Sequence, residues 1–524
     1  MRPRRPRVTV DVKQLNEIVD KADKELLSSE ECDVLRVSIN AMAERISSQS
    51  RTSEKARQLL QGGIQDSSDA DGEQGSDAAA SGDGEPKKPR PGHGRNGASV
   101  YGGARFVTVG HPDYAPKCRC VGCEKGKLYE LTAKTLVRIT GMPPVQAVVY
   151  QLQNLRCNLC GQLYPAPPPD GVGDEKYDAT VASMIAQLKY GSGMTFYRIA
   201  ALQQQMGVPL PATTQWELVE EAAKALEPVY DELTRQAAQG EVLHHDDTSV
   251  RILDGVVRPD TQDEDRSGIY TTGIVAKVGA HQVALYISGG QHAGENISDI
   301  LAQRAQGLQP AVLMSDALAA NNPKLPPGVE TLMGNCLTHG RRQFVDVLDN
   351  FPEACHHVIV ELGLIYWHDE QAQEKRLSPQ ERMQFHQEHS GPVMDALKAW
   401  MSEQLEKKLT EPNSGLGKAI NYFLKRWDRL TLFLRFPGAP LDNNVVERAL
   451  KRAVLHRKNA LFYKTEHGAA VGDLYMSLIH TCELNKVNSF EYMTVLQRHA
   501  AKVKENPGAW LPWNYHLQLP SDSA

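Results

Sequence analysis

The sequence lacks any run of about 18 consecutive apolar residues, the length that a membrane-spanning helix needs. Its first residues, MRPRRPR, are basic, but no apolar segment of signal-peptide length follows them. It also lacks an excess of positive charge, since its net charge is −6 at pH 7. We therefore expect a cytoplasmic protein that does not contact membranes and that, with 524 residues, is long enough for several domains.

The net negative charge of the chain comes from one segment. Residues 62–85 contain seven acidic residues and no basic residue, so the rest of the chain carries a net charge of +1. Basic residues cluster at 2–7, 86–95 and 448–464. Local basic patches in a nearly neutral protein are typical of phosphate contact at particular places.

Most of the cysteines lie between residues 118 and 160. A disulfide scaffold is not expected in a long chain without a signal peptide, and five of the nine cysteines fall between residues 118 and 160. Two Cys-x-x-Cys pairs separated by 33 residues predict a structural zinc ribbon with four thiolate ligands: Cys120, Cys123, Cys157 and Cys160. Cys118 is a spare thiol that can replace Cys120. A closed four-thiolate site has no open position, so this zinc would be structural.

A helical pair is predicted after the cysteine-rich segment. Residues 194–233 read as a helix, a Gly/Pro turn and a second helix, which is the spacing of a helix-turn-helix. Thr213 or Thr214 would cap the second helix, whose first turns carry Gln215 and Trp216. An ordinary helical hairpin is the alternative.

From residue 241 the apolar pattern changes to the two-residue period of strands. Three strand-like stretches, with a turn at Asp254–Gly255, precede a helix and two further strands. The strands are expected within 241–253, 268–279, 281–290, 310–318 and 329–337. This order predicts a mixed sheet flanked by helices, as in ribonuclease H.

Acidic residues stand in and beside these apolar strands. Asp246 and Asp247 lie within the first strand, and Asp316 ends the fourth after the apolar run AVLM. Carboxylates in such strands are unfavourable unless they are paired or bind a metal. Adjacent strand residues point to opposite faces, so only one of Asp246 and Asp247 can join a cluster with Asp316, and periodicity does not choose between them.

Glu447 has two interpretations. Asn444 is a good N-cap residue, and Glu447 follows at the spacing of a capping box. Alternatively, Glu447 reaches the same sheet edge and completes a carboxylate trio, which would suit Mg²⁺. Two such ions about 4 Å apart support phosphodiester chemistry.

Several longer motifs carry a family resemblance. They are GHGRNGA, the two Cys-x-x-Cys pairs, LHHDDT, SDALAAN, CLTHGRRQF and LDNNVVERALKRAVLHRKNALF. From about residue 86 to 515 the chain resembles the large DDE-type transposases of the insertion sequence 66 family. One departure is Asp247, which stands where the family often has Glu.

The resemblance implies roles for particular residues. Asp246, Asp316 and Glu447 match the catalytic acids, which would hold two Mg²⁺ ions, with Mn²⁺ as a substitute. Cys336 and His339 match a signature that opens a helical insertion, either as a buried pair that fixes the strand end or as a DNA contact. The residues expected to contact DNA phosphates are basic: Arg341, Arg342, Arg448, Lys451, Arg457 and Lys458.

The expected fold is multidomain α+β. A ribonuclease-H-like mixed-sheet catalytic core with a helical insertion follows a zinc ribbon and a helix-turn-helix-like region. The boundaries that we predict are 1–61 (helical, a coiled coil or a packed helical pair), 62–98 (acidic linker and basic arm), 99–170 (zinc ribbon), 171–240 (helix-turn-helix-like), 241–340 with 441–480 (catalytic core), 341–440 (helical insertion) and 481–524 (helical tail).

The function implied is DNA transposition. The protein would bind the terminal inverted repeats of a mobile element, cleave the DNA strands and transfer them to target DNA. A homodimer or higher oligomer on DNA, small accessory proteins of the same element and association with the bacterial nucleoid are further expectations. The alternative is a catalytically inactive regulator that binds DNA through the zinc ribbon and the helix-turn-helix.

Overall fold

A computed structural model describes seven ranges of the chain: 115–119, 126–129, 144–156, 163–167, 169–170, 175–254 and 268–520. The chain divides into two compact units, Met1–Val137 and Arg138–Ala524. The predicted N-terminal helices, the acidic linker with its basic arm and the four cysteines of the zinc ribbon all lie outside the described residues.

Antiparallel pairing flanks both cysteine pairs in the sequence. In the first unit, the Lys117 amide donates to the Leu128 carbonyl at 2.7 Å, and the Leu128 amide donates to the Cys118 carbonyl at 2.9 Å. In the second unit, β1 (Asn154–Arg156) pairs with β2 (Leu163–Pro165). Each pairing encloses a stretch of sequence that contains one Cys-x-x-Cys motif.

Among the described residues, three α-helices precede the main sheet. They are α1 (Ala179–Ala186), which continues as a π-helical turn over Gln187–Gly191, α2 (Phe196–Gln205) and α3 (Ala212–Ala238). The predicted cap at Thr213 or Thr214 is wrong, because the N-cap of α3 is Pro211, two or three residues earlier, and no side chain caps the helix.

The start of α3 packs inward. Gln215 is fully buried, and its amide donates to the Leu210 carbonyl at 2.8 Å. The Trp216 ring packs edge-on against Phe196. These two side chains therefore hold α2 against α3.

The second unit contains a five-stranded mixed sheet. Its strands are β3 (Val242–Ser249), β5 (Tyr270–Val278), β6 (His281–Gly289), β7 (Ala311–Ser315) and β8 (Thr331–Asn335), in the order β6-β5-β3-β7-β8. β3, β5 and β6 are antiparallel, whereas β7 and β8 run parallel to β3. One helix, α4 (Ala293–Leu301), connects β6 to β7. This mixed α+β arrangement is compatible with a ribonuclease-H-like core.

A short strand follows β3 but belongs to a separate sheet. β4 (Ile252–Asp254) pairs in parallel with β9 (Tyr463–Thr465), far along the chain. The antiparallel partner of β3 is β5.

A helical segment separates β8 from the next helix that covers the sheet. It consists of α5 (Leu337–Val345), α6 (Pro352–Glu374), α7 (Pro379–His389), α8 (Gly391–Glu406), α9 (Gly415–Lys425) and α10 (Trp427–Leu430). Its buried side chains, including Phe344, Leu362, Met394 and Phe423, form a second hydrophobic core. The segment is thus stabilised largely by its own packing.

Four more α-helices follow in the described part of the chain. They are α11 (Asn444–Ala460), α12 (Glu466–Leu484), α13 (Ser489–Arg498) and α14 (Ala500–Glu505). α11 lies across β3 and β5, and α12 lies on β6. The inward face of α11 buries Val446, Ala449 and Ala453 at three- and four-residue steps, as its amphipathic pattern predicts. Among the described residues, no helix has the length and apolar character needed to cross a bilayer.

The close approach of α11 to the sheet depends on Gly273 in β5. A Cβ atom there would lie 2.7 Å from Cδ2 and 2.9 Å from Cγ of Leu450. We expect Gly273→Ala to lower the free energy of unfolding by about 1–3 kcal/mol, the usual cost of overpacking. Gly289→Ala is the matched control, because a Cβ at Gly289 would meet nothing within 4 Å. Equal urea midpoints for the two variants would contradict the prediction.

Candidate active site

Two aspartates meet where β3 and β7 run side by side. These strands are parallel, with His244 opposite Met314, so the register carried two residues further sets Asp246 opposite Asp316. One buried amide joins the two carboxylates, because Asn321 Nδ2 lies 2.5 Å from Asp316 Oδ1 and 3.3 Å from Asp246 Oδ1. Neighbouring parallel strands thus bring together two acids that are far apart in the sequence.

The surroundings of Asp246 disfavour its negative charge. Burial raises the pKa of its carboxyl to about 7, and the negative charges of Asp316 and Asp247 act in the same direction. Hydrogen bonds from the Asp247 amide, at 2.8 Å, and from Asn321 act in the opposite direction. A bound cation would stabilise the ionised pair, so this end of the sheet favours positive charge.

Asp247 has different partners from Asp246. Its Oδ1 accepts a hydrogen bond from Thr272 Oγ1 at 2.6 Å, and its Oδ2 accepts one from the Ala293 amide at 2.8 Å. His292 Nδ1 lies 3.1 Å from the same Oδ2. The Asp247 carboxylate therefore connects β3 to β5 and to the start of α4.

Glu447 lies in the first turn of α11 and does not form the predicted capping box. The N-cap is Asn443, and no side chain caps the helix. The predicted cap residue Asn444 instead donates from Nδ2 to Asp442 Oδ2 at 2.7 Å. The capping interpretation is therefore wrong, because the asparagine side chains at this helix start are bonded elsewhere.

The Glu447 carboxylate faces a cavity of about 440 Å³ that Asp246 also lines. Glu447 Oε1 is buried and has no hydrogen-bond partner among the described residues. His339 Nδ1 is 3.6 Å from this oxygen, which is too long for a hydrogen bond. Asp316 does not line this cavity and joins the cluster through its shared bond to Asn321. One oxygen of the Glu447 carboxylate is thus buried without a hydrogen-bond partner in the described part of the chain, an unfavourable state that a bound cation would relieve.

Glu447 also belongs to a second group of metal-ligating side chains. The ligand atoms of Cys336, His339 and Glu447 all lie within 4.8 Å of one another. A thiol, an imidazole and a carboxylate suit a cation such as Zn²⁺, whereas Asp246 and Asp316 offer only oxygen. Burial raises the pKa of the Cys336 thiol to about 11, so without a cation this thiol is protonated.

Sequence reasoning missed Asn443, which is fully buried. Its Nδ2 donates to the His245 carbonyl at 3.0 Å, and its Oδ1 lies 3.1 Å from His244 Nδ1. Its backbone amide donates to Cys336 Sγ at 3.3 Å. Asn443 thus fixes the start of α11 to β3 and to the end of β8. The only signal in the sequence was an Asn-Asn pair, which resembles an ordinary helix start.

The predicted DNA-binding residues differ in their surroundings. Lys451 and Lys458 are exposed and line the cavity. Arg457 is engaged within the fold, because its Nη1 donates to Ser249 Oγ at 2.7 Å and to Thr248 Oγ1 at 3.2 Å. Arg448 and Arg342 are exposed and Arg341 is half-buried, and none of the three lines the cavity.

Comparison with protein families adds an independent observation. A family model described as "Transposase IS66 family" matches residues 175–471, which is more than half of the chain. The chain belongs to this transposase family. The matched residues of this IS66-family transposase include Asp246, Asp316 and Glu447, whereas the two Cys-x-x-Cys pairs lie before them.

Three relatives of this transposase come from Sinorhizobium fredii and are called uncharacterized proteins. Protein y4hP is 26% identical over 419 residues, which cover 76% of this chain and 73% of y4hP. Protein y4jD is 25% identical over 420 residues, covering 78% of this chain and 80% of y4jD. Protein y4qI is 23% identical over 344 residues, covering 63% and 61%.

Proposed function

We propose that this protein binds the terminal inverted repeats of a mobile element and catalyses strand cleavage and strand transfer with Asp246, Asp316 and Glu447. The observation that carries the proposal is the bridge from Asn321 to both aspartates, beside a cavity that Asp246 and Glu447 both line. Family membership supports the transposase role.

The donor set fits divalent metal ions. Asp246, Asp316 and Glu447 supply only carboxylate oxygens, the ligands that Mg²⁺ and Mn²⁺ prefer. The high pKa of Asp246 and the unpartnered oxygen of Glu447 are both features that a cation would relieve. Two ions held by these acids would supply charge stabilisation for the scissile phosphate and activation of the attacking oxygen.

Other side chains would position the acids and the DNA. Asn321 holds the two aspartates side by side, and Asn443 holds the helix that carries Glu447 against β3. Lys451 and Lys458, on the rim of the cavity, would contact backbone phosphates without reading sequence. Holding the strands in place is the main catalytic contribution that such residues can make.

Recognition of the element ends is assigned to the N-terminal part of the chain. Cys120, Cys123, Cys157 and Cys160 would bind a structural Zn²⁺ and stabilise a ribbon that contacts the repeats. Because Gln215 and Trp216 are packed inward, the proposal does not use them for base contacts. Two copies of the protein, one at each end, would form the active assembly.

The proposal is tested with duplexes that carry the element's own ends and a supercoiled target plasmid. With Mg²⁺ or Mn²⁺ we expect cleavage at the ends and covalent joining to the plasmid, and with EDTA neither product. Duplexes with scrambled ends are the control. Cleavage without joining would indicate a nuclease. Binding to the ends without any cleavage would indicate a regulator.

A further inference from the structure

A second basic surface lies on the helical segment, next to the loop that follows Asp316. It consists of two adjoining cavities of about 480 and 370 Å³ that share Lys425 and Arg426. The larger cavity adds Arg429 and the smaller adds Lys418. We call this surface the insertion groove. None of its basic residues was among the predicted DNA contacts.

The groove begins at the loop that holds Asp316. Ala317, which directly follows Asp316, lines the larger cavity together with Asn322 and Asn335. Asn335 Nδ2 donates to the Asp316 carbonyl at 3.3 Å, and Arg429 Nη1 donates to Asn322 Oδ1 at 3.0 Å. The loop is thus bonded on one side to β8 and on the other to the basic wall of the groove.

The basic side chains of the groove are available for binding. Lys418, Lys425 and Arg429 are exposed, and within the described part of the chain neither lysine forms an ion pair. The Arg426 guanidinium stacks on the Tyr422 ring at 4.2 Å, which fixes its plane. Asp428 is the single carboxylate among the described residues that line the two cavities.

The spacing of the lysines suits a nucleic-acid strand. Lys418 and Lys425 are seven residues apart on α9, so they share one face and are separated by about 10 Å along the helix axis. This rise is about three phosphate steps of one DNA strand, since phosphates recur about every 3.4 Å along the duplex axis. Two exposed lysines at this distance can contact two phosphates of the same duplex.

We propose that the insertion groove binds the phosphate backbone of duplex DNA that extends from the active site past Asp316. This inference rests on the proposed function and gives it a second contact surface. Lys451 and Lys458 flank the acids on the α11 side, and the groove flanks them on the side of the helical segment. DNA held on both sides of the acids would present its scissile phosphate between them.

The test measures binding of the full-length protein to a fluorescent duplex carrying an element end, in EDTA so that no cleavage occurs. Combining Lys418→Ala with Lys425→Ala should reduce the slope of log Kd against log salt concentration by about 1.8, because each phosphate contact contributes about 0.9. Lys502→Ala combined with Lys504→Ala, on exposed positions of α14, removes the same charge elsewhere and should leave the slope unchanged.

Two results would overturn the inference. One is a slope for the Lys418/Lys425 variant equal to that of the wild type. The other is a reduced slope with single-stranded RNA but not with duplex DNA. Either result would leave the proposed function intact, because that function is judged by cleavage and joining in Mg²⁺. Wild-type protein that shows no salt-dependent DNA binding would overturn both.

Discussion

Glu447→Gln is expected to slow strand cleavage by about 10³-fold or more while changing the affinity for the element ends by less than about twofold. The amide keeps the shape of the side chain but removes the negative charge, and metal-based charge stabilisation contributes several kcal/mol to such reactions. Because Glu447 Oε1 has no hydrogen-bond partner among the described residues, the change breaks no internal bond of that atom. Single-turnover cleavage in Mg²⁺ and fluorescence anisotropy in EDTA measure the two quantities.

Asp316→Asn should behave in the same way. Glu406→Gln and Asp395→Asn are matched controls, since both acids are exposed on α8. These controls should cleave at the wild-type rate. If Glu447→Gln or Asp316→Asn instead weakened end binding in proportion to its loss of cleavage, the acids would serve in DNA binding and their catalytic assignment would be wrong.

Asp246→Asn and Asp247→Asn should change stability in opposite directions. Asp246→Asn removes a buried charge beside Asp316, so in EDTA it should raise the melting temperature while abolishing cleavage. Asp247→Asn replaces an oxygen that accepts from the Ala293 amide, or one that accepts from Thr272, with an NH₂ group. The unpaired donor should cost about 1–3 kcal/mol of unfolding free energy. Destabilisation by both variants would contradict the distinction between them.

The pH dependence gives a further check on Asp246. Its pKa is raised to about 7 in the folded protein, against about 3.9 in an unfolded chain. The folded state therefore binds the proton more tightly, and the stability contributed by this group is lost as pH rises from about 4 to about 7. In EDTA, urea unfolding should show that the free energy of unfolding of Asp246→Asn, relative to that of the wild type, increases between pH 5 and pH 8. A constant difference would show that Asp246 does not titrate in this range.

The sheet was predictable because its determinants are local. Alternating and continuous apolar runs mark the five strands, and their order confirms the predicted sequence of three strands, a helix and two strands. The meeting of Asp246 with Asp316 follows from the parallel register of β3 and β7. An acid at the end of an apolar strand can be recognised from the sequence alone.

The asparagines at the site could not be predicted, because their roles depend on distant partners. Asn321 lies in the stretch AANN and Asn443 in LDNN. Local sequence patterns predict only turns and helix starts at these stretches. The bonds from Asn443 to His244 and His245 span about 200 residues of sequence. The same limitation explains the incorrect capping box at Glu447 and the inward packing of Gln215.

The helical segment between β8 and α11 also sets the order in which the site forms during protein synthesis. Because this segment lies between them in the sequence, Glu447 is translated long after the two aspartates. The helix that covers β6, α12, is complete only when Leu484 has been translated. Non-local packing of this kind forms only once both partners are available. A nascent chain on the ribosome therefore carries an incomplete cluster of acids on an uncovered sheet. Premature termination within the segment would give a product without Glu447 and without the helices that cover the sheet. The proposed role of Glu447 predicts that such a product does not cut DNA.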